Sequence, residues 1–378
     1  MSYTDSAEQV EIRATVRGLL ARIQPIAAAR AAENEHSGGF DRAAWDRLSA
    51  ELGVSALLVP EESDGLGLTF EDACVVLEEM GRAAYNGPVL ESAAIVPLLL
   101  ALSDQDVSED WQQLVAGDAI ATVAGLGDWV AGREPSVTAI DEGGAWMLTG
   151  TSFAVPFGLV ADRIYVLARG ADGIGVWALA ADASGHGMRA LSSLDLTRPR
   201  SAHEFAATPA RLVITPSPGD AVLRLLAAQA VTALTAEQVG AIGHLLETTL
   251  EYLRTRYQFG RAIGSFQALK HRTVDIAIAA EGAAAASRAA RTAVAAATAD
   301  DPSAIDEAVR LAAIAGAYCS DAAVDIAGAT LQLHGGIGMS WEHDIHIYLR
   351  RLKASQRLFG APSDHRRTLR DALQLASA

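Results

Sequence analysis

The sequence predicts a mainly α protein with a middle β domain, and three observations carry that prediction. Apolar residues recur every three to four positions over the N-terminal and C-terminal thirds of the chain, the spacing of amphipathic helices. Between them lies a zone rich in Gly, Val, Thr and Trp, where short β-type runs replace the helical period. The outer zones are built from Ala, Leu, Glu and Arg, which lose little side-chain freedom in a helix. The expected units are an N-terminal helical domain over 1–116, a β domain over 117–216 and a C-terminal helical bundle over 217–378.

The elements follow in order. Val10, Ile12, Val16, Leu19, Leu20 and Ile23 form one helical stripe, and Phe70, Ala73, Val76, Leu77 and Met80 another. Strands are expected at Ala145-Trp-Met-Leu-Thr-Gly, Arg163-Ile-Tyr-Val-Leu-Ala-Arg, Gly175-Val-Trp-Ala-Leu and Arg211-Leu-Val-Ile, with Glu142-Gly-Gly as a hairpin turn. Three long helices close the chain: one ending near Tyr257, one crossing 268–298 and one over 303–333. Asp300-Asp-Pro-Ser separates the last two, with Ser303 as the expected N-cap. The alanine run 279–298 carries Glu281, Arg288 and Arg291, so it reads as a closely packed bundle helix and not as a membrane span.

Composition narrows the function. The chain has 378 residues, with 46 acidic against 30 basic side chains and a net charge of −16. That excess repels phosphate backbones, and no basic stripe with interleaved aromatics offsets it, so no nucleic acid is expected as a partner. Cys74 and Cys319 give neither a disulfide framework nor metal-ligand spacing, which fits a reducing, cytoplasmic setting. Met1-Ser-Tyr-Thr-Asp-Ser-Ala-Glu has no basic head or apolar run, and no membrane association is expected. His343 and His346, with His334 nearby, lack a further ligand at a telling spacing, so no metal is expected. Glycine-rich phosphate loops and serine nucleophile elbows are absent from the sequence.

Three motifs in order are more specific. Gly53-Val-Ser-Ala-Leu-Leu-Val-Pro-Glu-Glu-Ser-Asp-Gly-Leu-Gly-Leu-Thr precedes Leu77-Glu-Glu-Met-Gly-Arg. Arg256-Tyr-Gln-Phe-Gly-Arg-Ala-Ile-Gly-Ser-Phe-Gln follows much later, then Gln332-Leu-His-Gly-Gly-Ile-Gly-Met-Ser-Trp-Glu-His-Asp and Leu349-Arg-Arg. Arg256 offers a planar fork of donors suited to a diphosphate, and Gly335-Gly336 lets backbone approach a ligand closely. With the order of the zones, these segments resemble the acyl-CoA dehydrogenase family over almost the whole chain. The resemblance implies the three-domain fold of that family: N-terminal helical domain, β-barrel-like domain and C-terminal four-helix bundle. It also implies FAD-dependent α,β-dehydrogenation of an acyl-CoA thioester, with electrons leaving to an electron-transfer flavoprotein. By the same resemblance, Arg256, Phe259, Gln267, Gln332, Gly335 and Gly336 are FAD contacts, offered across a subunit interface.

The chain departs from the family where the chemistry is done. Removing the α-proton requires a positioned carboxylate. Counting from Gly335-Gly336, the common position of that base falls on Phe359, and the alternative position, counted back from Arg256, falls on Ala230. The arginine often found beside it falls on Val231. The segments that surround the flavin ring read Ala121-Thr-Val-Ala-Gly-Leu-Gly-Asp and Phe153-Ala-Val-Pro-Phe-Gly, with Ala154 and Pro156 where the family has Trp and Thr. Proline brings neither an N–H nor a hydroxyl.

Asp364 and Glu237 are the remaining carboxylates that could replace the base, Glu237 lying about two helical turns, roughly 10 Å, beyond Ala230. The pattern resembles the base-lacking subunit of bacterial α2β2 members, including the Leu358-Phe-Gly segment followed by His365-Arg366-Arg367. A homologous, base-bearing subunit is therefore the expected partner. The alternatives are a homo-oligomeric dehydrogenase with an unusual base, a flavin monooxygenase or oxidase of the same fold, and a non-enzymatic scaffold subunit.

Overall fold

The computed structural model describes residues 5–31, 40–117, 119–217 and 220–372. The N-terminal helices are α1 (Ala7–Ile23), α2 (Pro25–Ala31), α3 (Arg42–Leu52), α4 (Phe70–Arg82), α5 (Val96–Ala101) and α6 (Ser108–Ala116). Helix α1 opens with a capping box in which the Ser6 hydroxyl accepts from the Gln9 N–H and the Gln9 side chain accepts from the Ser6 N–H. Thr69 and Asp72 repeat the device at α4. Phe70, Ala73, Val76, Leu77 and Met80 are all buried, as their spacing predicts. Ahead of α5 a wide π-helical turn, Val89–Ile95, carries Glu91 into the interior.

The middle zone holds β1 (Ala121–Ala124), the single-turn α7 (Leu126–Val130), β2 (Val137–Asp141), β3 (Trp146–Pro156), β4 (Arg163–Arg169), β5 (Ile174–Ala180), β6 (His186–Leu191) and β7 (Arg200–Ser217). The sheet runs β1-β4-β2-β3-β7-β5, and pairing of β4 with β5 closes five of these strands into a barrel, with β6 added beside β7. Gly143 and Gly144 both take positive φ at the predicted β2–β3 hairpin, and the Glu142 N–H donates to the Ala145 carbonyl. Leu148, Val166, Trp177 and Phe205 fill the interior. The four predicted strand runs lie in β3, β4, β5 and the second half of β7. Strands β1, β2 and β6 escape the pattern because β1 is short and buried throughout, β2 is only partly buried, and β6 is largely exposed.

The C-terminal zone has α8 (Ala221–Thr255), a hairpin of β8 (Tyr257–Gln258) and β9 (Arg261–Ala262), then α9 (Gln267–Ala296), α10 (Pro302–His334), α11 (Ile345–Ser355) and α12 (Pro362–Ala372). Helices α8 and α10 run the same way: Arg224 pairs with Asp306 at 2.6 Å at one end, and Tyr252 stacks on His334 at 4.4 Å at the other. The cap of α10 is Asp301, not Ser303. Its carboxylate accepts from the N–H groups of Ser303 and Ala304, and Pro302 opens the first turn. Helix α8 and the segment Pro302–Met339 are long and apolar enough to cross a bilayer, but 83% and 61% of their most apolar windows are buried within this chain. They are core helices of the bundle.

Helix α4 meets α8 backbone to backbone. A Cβ on Gly81 would sit 1.9 Å from the Glu237 carbonyl oxygen, and one on Gly240 would sit 1.7 Å from that of Glu78. This crossing sets the Glu237 side chain among the three zones. Arg198, from the loop before β7, holds Glu237 at 2.6 Å, and its Nε lies 3.0 Å from a Glu91 carboxylate oxygen. Arg351 of α11 lies 3.1 Å from Glu237 and also donates to the Tyr85 carbonyl and the Thr197 hydroxyl. All four charged side chains are at most 4% exposed. Burial alone would raise the Glu237 carboxyl, but Arg198 and Arg351 outweigh it and hold it at about 2. Burial pushes Glu91 upward, against the pull of Arg198.

Removing one member of such a cluster strands the others, so Arg198→Met is expected to cost about 3–5 kcal/mol in urea unfolding. A loss below about 1 kcal/mol would show that the cluster does not join the zones. Acid should act in two stages. Burial lowers His203 and His365 to about 4, so the stability they contribute above their ordinary 6.5 is lost as pH falls toward 4. The Glu237 contribution is complete above 4.5 and is lost as pH falls toward about 2. Urea midpoints measured from pH 7 to 3 should decline through both ranges, and Arg198→Met should flatten the lower one.

Candidate functional site

Helix α8 ends at Arg256, which is extended and exposed, and whose guanidinium has no partner among the described residues. The chain then turns through Phe259 and Gly260, both at positive φ, as a two-residue hairpin requires. Phe259 is 90% exposed, its ring edge-on to Phe266 at 6.1 Å, and the Arg261 guanidinium lies 4.0 Å from the centre of the Phe266 ring. Gln267 is the first residue of α9 and is exposed.

The Tyr252–His334 stack brings the end of α10 alongside. There Gln332 is exposed, Gly335 has φ 62°, and nothing lies within 4 Å of a Cβ built on Gly335 or Gly336. The structure thus brings Arg256, Phe259, Gln267, Gln332, Gly335 and Gly336 to one end of the bundle, on an open face. A free guanidinium fork, bare backbone at two glycines, two amides and an exposed aromatic ring form a donor set that fits a dinucleotide diphosphate and its flanking rings.

The inner side of the same chain is different. Phe359 and Ala230 are buried in the core, Ala230 on α8 and Phe359 beyond α11. Leu358 seats its carbonyl against α7: a Cβ on Gly127 would lie 2.5 Å from the Leu358 oxygen. Ala154 has φ 58° in a bulge of β3 that leaves Phe153 exposed, and the Pro156 carbonyl accepts from the Thr122 hydroxyl at 2.7 Å. What remains between β1, β3 and Phe359 is a cleft of about 70 Å³ lined by Val123, Gly125, Phe153, Arg200, Arg357 and Phe359 among others. Ligand pockets start near ~300 Å³, so a fused-ring cofactor does not fit it.

A second cavity of about 350 Å³ opens between α8, α10 and α12, with Val231, Ala227, Trp129, Arg224 and His365 among its walls.

The two stand-in carboxylates are both engaged. Glu237 lies within the four-charge cluster. Asp364 accepts from the Ala361 N–H at 2.9 Å and pairs with Arg367 at 2.9 Å, while Arg367 also donates to the Ala131 carbonyl. Both groups serve the fold as placed.

Reading the sequence missed Arg198, Arg351 and Glu91. Arg351 lies in the quoted Leu349-Arg-Arg motif, but no spacing in the sequence links it to Arg198 or Glu91. Their partnership exists only after folding.

Residues 6–117 match the description "Acyl-CoA dehydrogenase, N-terminal domain" and residues 223–374 match "Acyl-CoA dehydrogenase, C-terminal domain". Acyl-CoA dehydrogenase IpdE2 of Mycobacterium tuberculosis is 32% identical over 97% of both chains. The ChsE4-ChsE5 complex of Mycobacterium tuberculosis contains a chain that superposes with a TM-score of 0.86 at 28% identity, covering 100% of both. The Tcur3481-Tcur3483 steroid ACAD has one with a TM-score of 0.85 at 29% identity, covering 97% of this chain and 98% of that one. The chain belongs to the acyl-CoA dehydrogenase family, FAD flavoproteins that oxidise the Cα–Cβ bond of acyl-CoA thioesters.

The contact of Leu358 with Gly127 can be tested directly. Gly127→Ala forces its methyl group into a backbone carbonyl and is expected to cost about 1–3 kcal/mol. Thermal unfolding at wild-type temperature would show that this segment is not seated on α7.

Proposed function

We propose that this chain is the flavin-completing, base-lacking subunit of a heteromeric acyl-CoA dehydrogenase. One observation carries the reading: the chain closes its own inner cleft to about 70 Å³ while presenting an open, unpartnered cofactor-type face at the end of its bundle. FAD at such a shared site supplies the acceptor for the hydride that leaves the β-carbon.

In this arrangement Arg256 would hold the diphosphate, beside the open backbone of Gly335 and Gly336, and Gln332, Gln267 and Phe259 would border it. The carboxylate that takes the α-proton comes from the homologous partner, because Phe359 and Ala230 cannot take one and Glu237 and Asp364 are held by arginines. Two of the similar solved structures are named as pairs of gene products, which supports the heteromeric reading. The steroid enzyme among them favours a bulky, ring-bearing acyl group. We further propose an electron-transfer flavoprotein as the electron acceptor, and a cytoplasmic setting that keeps the buried thiols of Cys74 and Cys319 reduced.

The test is flavin absorbance and native mass of the chain alone and after co-expression with a homologous, base-bearing subunit. Little flavin alone, rising to about one per heterodimer, is the expected result. Arg256→Ala in the complex should then lower flavin content at least severalfold without changing native mass. Stoichiometric flavin and turnover of an acyl-CoA by the chain alone would overturn the proposal.

A further inference from the structure

We propose that the small cleft beside Phe359 is a binding site for an oxyanion of phosphate or carboxylate type, held between the guanidinium groups of Arg200 and Arg357. Both side chains line the cleft. The chain carries a net charge of −16 and pairs most of its arginines with carboxylates, yet neither of these two has an ion-pair partner among the described residues. The third arginine at the cleft, Arg133, is matched to Asp128 at 2.7 Å. The cleft therefore keeps a surplus of two positive charges.

The groups available fit an oxyanion. Arg200 donates one N–H to the Ala354 carbonyl at 3.0 Å, and its Nε is buried without an acceptor. Burial and the nearby Arg198 lower its pKa by more than Asp195 and Glu91 raise it, so its charge is only partly compensated where it stands. The Nη1 end of Arg200 has no acceptor among the described residues, and an anionic oxygen in the cleft would give it one. Arg357 is exposed and has no side-chain partner among the described residues, so its fork is free to close over a ligand. The volume of about 70 Å³ exceeds the ~10–15 Å³ that a single water needs and admits a group as small as a tetrahedral anion or a carboxylate. Phe153, Val123, Pro156 and Phe359 supply apolar walls that strengthen the attraction. The heteromer reading draws on the small volume of the same cleft, whereas this inference draws on its two unpaired arginines, which that reading does not use.

The test is equilibrium dialysis of the purified full chain against radiolabelled inorganic phosphate at constant ionic strength, with chloride as the balancing anion. Saturable binding near one phosphate per chain is expected. Arg357→Gln touches no contact of the fold and should weaken it about tenfold or more, as loss of a charge-assisted pair implies. Arg200→Lys keeps the charge but loses the planar fork and should weaken it as well. Competition by sulfate better than acetate assigns the site to phosphoryl ligands, and the reverse order assigns it to carboxylates. Absence of saturable phosphate binding overturns the proposal, as does binding of unchanged affinity in Arg357→Gln.

Discussion

The structure depends on a buried cluster of two arginines and two glutamates contributed by every zone of the chain. Glu91 comes from the π-helical turn of the N-terminal zone, Arg198 from the barrel, and Glu237 and Arg351 from the bundle. Four charges out of water are tolerable only when they neutralise one another and their remaining donors find acceptors, as Arg351 does at Tyr85 and Thr197. Such a cluster adds less net stability than its proximity suggests, because desolvation opposes the attraction. Its main effect is on geometry, since misplacing any one zone leaves a bare charge in the interior. The touching backbones at Gly81 and Gly240 perform the same service for α4 and α8.

That cluster also decides what Glu237 can do. A general base near neutral pH needs a carboxyl poised to accept a proton, whereas two guanidinium groups hold this one far below that range. Asp364 is engaged differently, accepting from the Ala361 N–H at the start of α12 and pairing with Arg367. Carboxylates enclosed by arginines become structural members. This closure of Glu237 and Asp364 is what turns the proposed reading toward a carboxylate supplied by another subunit.

Much of the fold was legible in the sequence because periodicity is a one-dimensional signal of a local cause. The stripe from Phe70 to Met80 and the runs in β3, β4 and β5 repeat at the intervals their geometry requires. The signal weakens where burial does not alternate: β1 is too short and β6 too exposed. The N-cap of α10 lies two residues before the expected Ser303, because Asp301 and Ser303 are both competent caps and Pro302 decides between them by favouring the first helical position. At the site, the motifs located Arg256, Gln332 and the two glycines, and the structure sets them together on one open end. The charge cluster and the closed cleft were out of reach, because contacts between residues far apart in the chain leave no local period.

The two ends of the site differ in how far their groups are satisfied. In the inner cleft the groups are buried or bonded, as with Phe359, Leu358 against Gly127, and Pro156 with Thr122. At the bundle end Phe259 holds a left-handed φ with 90% of its surface in water, and Met339 and Ile337, in the turn after α10, are exposed as well. A bulky side chain at positive φ costs on the order of 1 kcal/mol or more, and exposed apolar area adds to that. Arg256 brings a charge without a partner to the same place. An isolated chain gains nothing from this arrangement, whereas a surface that closes against a cofactor and a second subunit offsets each cost at once. The unsatisfied groups therefore gather on the face to which the proposed function assigns the cofactor.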